Sequence, residues 1–255
     1  MPRWASFPFD ARAYQYSRPK LRQLWERLHR NDVEPWPTST AVQRAWQLFH
    51  AGSYREAVVE GLKVGGAGLT CANKAQALYA NYLARDERDR LALWLQVAVR
   101  AREQRESDPA AFNAWFFEAY ALGRYAQQSG VAQALRLAPR IRRGFEETLR
   151  LAPAHASAHA ALAVWHTEVI DRVGRLIARR LGASGAEAVA HFERSLALHP
   201  DNTIGLVEWA GAWPMLEGRR RLPDAEALLQ RAVAITPLDA TEALEGALAR
   251  STLED

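Results

Sequence analysis

Three histidines at helical spacing are the residues best suited to chemistry in this 255-residue chain. His155 and His159 stand four apart and His159 and His166 seven apart, so one helix face can carry all three, with Glu168 and Asp171 following. Imidazoles so placed can ligate a metal ion. The same pattern suits polar residues packed between helices, and no other motif completes a metal site: there is no H-E-x-x-H, and Cys71 is the only cysteine. The glycine run at 65–68 has neither the preceding strand nor the following Lys-Ser/Thr of a phosphate cradle, and reads as a turn between helices. No G-x-S-x-G elbow, phosphate loop or kinase set occurs. The paired carboxylates Glu146/Glu147 and Glu242/Glu245 sit in mixed-charge patterns and read as surface groups. The expectation is a chain that is not an enzyme and uses no cofactor.

The elements that would position these residues are helices. Ile141, Phe145 and Pro153 recur as Ala188, Phe192 and Pro200 and again as Ala225, Leu229 and Pro237. In each copy the first two share a helix face and the proline ends the helix. Near the start, Gly52-Ser53-Tyr54-Arg55-Glu56-Ala57 has the form of a corner between two helices. Over roughly residues 41–250 these motifs resemble the tetratricopeptide repeat family, with its A-x3-F…P signature and G-x-Y-x-x-A corner. That resemblance implies an all-α fold: a solenoid of about five helical hairpins over 41–255, closed by a C-terminal capping helix. An aromatic N-terminal arm and short helix precede it over 1–40.

Composition agrees with helices. Alanine occurs 48 times and leucine 30, but isoleucine only five times, a mix that favours helix over strand. Arginine supplies nearly all the positive charge, since Lys20, Lys63 and Lys74 are the only lysines, a balance that suggests a GC-rich bacterial genome. The formal charge of +4 is spread too evenly for a nucleic-acid footprint. The clusters Arg140/Arg142/Arg143 and Arg219/Arg220/Arg221 read as cations near helix boundaries. The first ten residues lack the apolar run of a signal peptide, and no stretch has the length of a membrane helix, so the expectation is a cytoplasmic protein with no membrane or nucleic-acid partner.

Along the chain, Trp4, Phe7, Phe9, Tyr14 and Tyr16 either cap the solenoid or reach a partner. Asp108-Pro109 reads as the start of a helix reaching Gln128, aromatic on more than one side. Pro153 and Pro200 are 47 residues apart against 37 for Pro200 and Pro237, which places an expanded helix between Ala156 and about Leu181.

A second likeness lies in residues 154–215, including Ala163-Val164-Trp165-His166-Thr167-Glu168. They resemble the repeat proteins that accompany TRAP transporters and the regulators of microtubule dynamics. In the tetratricopeptide family the first helix of each hairpin lines a concave groove. Carried onto this chain, the likeness implies Asn81, Phe116, Tyr120, Arg124, Val164, Thr167, Glu168 and Ile204 as groove residues. Two readings follow: a scaffold whose groove holds a protein or peptide partner, or a homo-oligomeric binder of a small apolar ligand. The groove is either open or filled by the chain's own termini.

Overall fold

A computed structural model describes residues 4–254, and the described residues fold into helices with no strand. After a 3-10 turn at Ala11–Tyr14 come α1 (Arg18–Leu28), α2 (Thr40–His50), α3 (Tyr54–Val64), α4 (Gly68–Tyr82), α5 (Glu87–Ser107) and α6 (Phe112–Gln127). The chain continues through α7 (Val131–Leu151), α8 (Ala156–Arg180), α9 (Gly185–Leu198), α10 (Thr203–Glu217), α11 (Leu222–Ala234) and α12 (Ala240–Glu254). Helices adjacent in sequence pack together through most of the chain. The even-numbered helices also touch one another in succession from α2 to α12, and α12 returns to touch α2. The six therefore form a closed ring of contacts.

Apolar faces explain this order. Trp46, Phe49, Trp94, Phe192 and Leu206 are fully buried, and so are Ala75, Ala77, Ala158 and Ala188 where helices approach closely. Ile141 and Phe145, Ala188 and Phe192, and Ala225 and Leu229 all lie in the buried interior. The helices that carry them end at Leu151, Leu198 and Ala234, shortly before their prolines. Gly61 and Gly68 let α3 meet α4: a Cβ on Gly61 would lie 2.5 Å from the Gly68 carbonyl oxygen.

The ring closes at the predicted corner. Gly52 has φ +79, and a Cβ there would stand 2.7 Å from Phe7 Cγ and 3.0 Å from Ala240 Cβ. The Tyr54 hydroxyl lies 3.4 Å from that of Thr241 on α12. The arm clasps this seam. Trp4 stacks on Tyr79 with ring centres 3.8 Å apart, and the Tyr16 hydroxyl donates to the Leu238 carbonyl. Gly52→Ala combines a left-handed backbone with a collision against Phe7, and is expected to cost about 1–3 kcal/mol, read as a fall in the urea midpoint. An unchanged midpoint would mean that the seam is slack.

Three local expectations need correction. α6 begins at Phe112 rather than at Pro109, because Asp108 accepts the Ala110 N–H at 3.1 Å in a turn of its own. Arg140, Arg142 and Arg143 lie inside α7, which runs on through Pro139. There Arg140 pairs with the buried Glu118 and Arg142 with Glu146. The expanded α8 is broken at Gly174, φ +74 and ψ 158, and the segment beyond it turns Leu176 to solvent, 74 % exposed, while Ala178 stays buried and Arg175 donates to the Leu216 carbonyl.

Candidate functional site

A cavity of about 180 Å³, partly open to solvent, lies between α4, α6, α7, α8, α10 and α12. Helical periodicity sets which side chains face it. Lys74, Leu78 and Tyr82 descend α4 at four-residue steps; Phe116, Tyr120 and Arg124 do so on α6, with Gln127 three further on; Val164, Glu168 and Arg172 on α8; Ile204 and Glu208 on α10. Of the predicted groove residues, the structure brings Phe116, Tyr120, Arg124, Val164, Glu168 and Ile204 to this one wall. Asn81 and Thr167 lie off it, and the Thr167 hydroxyl donates to the Ala163 carbonyl at 3.0 Å.

One end of the cavity is stopped by the connection after α1. Asn31 and Asp32 line it, and the next residue, Val33, holds φ 46, a costly conformation for a β-branched side chain. The ends of several inner helices hold this stopper. Asn113 Nδ2 donates to the Asp32 carbonyl at 3.2 Å, and the Ser157 N–H donates to that of Asn31 at 3.0 Å. Lys74 Nζ donates to Asp32 Oδ2 at 2.6 Å, and His29 Nδ1 to Asp32 Oδ1 at 2.9 Å. Burial would raise the Asp32 carboxyl, but Lys74 and His29 outweigh it and hold it below the usual carboxylate range.

A buried relay extends from there to the seam. His29 and His50 face each other through Nε2 at 3.2 Å, and His50 Nδ1 donates to Asp239 Oδ2 at 2.7 Å. Burial pulls His29 down to about 4, so it is the neutral acceptor of the pair.

The middle of the cavity is apolar and aromatic. Phe116 stacks on Tyr120 with ring centres 5.6 Å apart, and Trp94 meets Tyr120 edge-on at 5.8 Å. At the far mouth charges are paired: Arg124 donates to Glu208 and lies 5.2 Å above the Tyr120 ring, while Glu168 accepts from Gln127 at 2.9 Å and lies 3.5 Å from Arg172. The arrangement presents an apolar chamber between two polar ends, and its side chains can bind and orient a molecule.

No family model and no curated protein matches this chain.

The three histidines do not converge. His155 is fully buried at the start of α8, where its Nδ1 accepts the Ala158 N–H at 3.0 Å and its Nε2–H donates to Asn113 Oδ1 at 3.0 Å. His159 meets His191, Nδ1 to Nδ1 at 2.9 Å, and His166 Nδ1 accepts the Ser184 N–H at 3.2 Å. Among the described residues no group of three or more His, Cys, Asp and Glu is arranged to hold a metal ion, and no helix is long and apolar enough to cross a membrane.

Glu242 and Glu245 are not surface groups. α12 closes the ring, so their three-residue spacing turns both to the lumen, where Glu245 is 6 % exposed. Sequence reasoning also passed over Asp32, Lys74, Glu208 and Asp239. Lys74 did carry a signal: it is one of three lysines in an arginine-rich chain, and it continues the apolar stripe of Leu78 and Tyr82.

Proposed function

We propose that this chain is a non-catalytic binding protein, built of tetratricopeptide-type hairpins, that holds one small molecule with an apolar body in its lumen. The observation that carries this reading is the size of the chamber, which is stopped at one end and open at the other. A helix is about 10–12 Å across with its side chains, whereas a cavity of about 180 Å³ is only slightly larger than the engineered cavity of about 150 Å³ that takes benzene. A peptide partner would place one side chain there, while a molecule of roughly ten heavy atoms would fill it. The aromatic wall supplies affinity through burial, and the polar ends set orientation.

Native mass spectrometry of the chain purified from its source tests this. A co-purifying small mass supports the reading, and a ligand-free protein that instead captures one peptide from a defined library supports the groove-and-peptide alternative. Tyr120→Ala removes a lumen wall whose ring also lies under Arg124. It is expected to weaken small-ligand binding about tenfold with helix content unchanged. Equal affinity in the variant would move the site elsewhere.

A further inference from the structure

The acids of the lumen pair off one by one. Asp32 has Lys74 and Asp239 has His50. Arg27 reaches Glu242 at 3.2 Å. Arg124 serves Glu208, and Arg172 serves Glu168. Glu245 remains. Among the described residues it makes no ion pair and no hydrogen bond to another side chain, although it is nine-tenths buried and turned into the cavity. The protein group next to it is the Ile204 backbone N–H in the first turn of α10, one donor for a carboxylate that can accept about four bonds. Glu242 and Asp239 crowd it from its own end of the ring, Lys74 and Tyr82 face it from α4, Tyr120 from α6 and Tyr54 from the start of α3. Lys74 is already committed to Asp32.

A buried carboxylate without a counter-ion is costly, and it either takes up a proton or waits for a cation. We infer that Glu245 is the recognition group of the lumen, and that the ligand proposed above carries one ammonium on its small apolar body, seated against Glu245 with the body among Phe116, Tyr120 and Val164. This rests on the lumen reading and adds the ligand's charge to it. Burial first, then Glu242 and Asp239, push the Glu245 carboxyl well above the ordinary range, the direction that favours its protonated form while no cation is bound. Binding an ammonium exchanges that proton for the cation. The proton leaves to solvent, and charge in the chamber balances before and after.

Two probes of equal heavy-atom count, 2-phenylethylammonium and propylbenzene, separate the ammonium claim from the lumen reading by isothermal titration of the dialysed full chain at pH 7. The amine is expected to bind roughly tenfold tighter or better than the hydrocarbon, with release of a proton, measured by repeating the titration in buffers of different ionisation enthalpy. Glu245→Gln is expected to keep hydrocarbon binding and to lose both the amine preference and the proton release. An amine that binds no better than propylbenzene, or that binds without proton release, overturns the assignment to Glu245 while the lumen reading stands. Failure of both probes to bind the wild-type chain overturns the lumen reading itself. The proton-release measurement needs only the wild-type protein, so a poorly folding variant does not blunt the test.

Discussion

Lys74→Met is expected to lower the unfolding free energy by about 3–5 kcal/mol, read from urea denaturation at pH 7. The ammonium reaches Asp32, whose side chain is 3 % exposed, and it also lies 5.1 Å from the Phe49 ring centre and 5.7 Å from that of Trp46. Methionine retains most of the stem and its packing, so the loss measures a carboxylate left buried without its main cation. Burial would lower the Lys74 ammonium, yet Asp32 more than compensates and raises it, which agrees with a pair that is charged in the folded chain. Adding Asp32→Asn to Lys74→Met should recover at least half of the loss, since the amide oxygen still accepts from His29. A single variant within about 1 kcal/mol of wild type would show that the pair behaves as an exposed one and that the stopper is wet.

Lowering the pH from 6.5 to 4 is expected to remove about 3 kcal/mol of stability through His155 alone. Burial holds this ring down to about 4 in the folded chain against 6.5 in the unfolded one. Its Nδ1 is occupied as an acceptor for the Ala158 N–H, so protonation would break the cap of α8 as well as bury a charge. The unfolded chain binds the extra proton throughout that window. The contribution is therefore complete above 6.5 and is lost as the pH falls through 6.5 towards 4. His29 acts in the same direction, so the measurement is the difference in pH slope between wild type and His155→Asn, whose amide oxygen can still cap the helix. Parallel slopes for the two proteins would exclude this role for His155.

What could be read from the sequence followed local periodicity. Ile141/Phe145 and their two counterparts share helix faces whatever else the chain does, and the Gly52-Ser53-Tyr54 corner is specified within three residues. Six of the eight residues that the family likeness implied for a groove line the cavity, and the other two miss it by one position, a helix rotation of about 100°. Asn81 stands one position before Tyr82, the residue in step with Lys74 and Leu78. Thr167 stands one position before Glu168, the residue in step with Val164. The closing of the ring was not legible, because it depends on His50 meeting Asp239 across 189 residues, and no local spacing encodes that contact. Glu242 and Glu245 were misplaced for the same reason: beside Arg250 and Thr252 they look solvated until α12 is known to face α2.

The contact between α12 and α2 constrains how such a gene can change. An open stack can duplicate a hairpin at any joint and simply become longer. Here a duplicated hairpin would carry Asp239 away from His50 and Ala240 away from Gly52, so growth by tandem copying is closed to this architecture. New length would have to enter where it leaves those contacts in place, as at the exposed Leu176 and Ile177 beyond the break at Gly174.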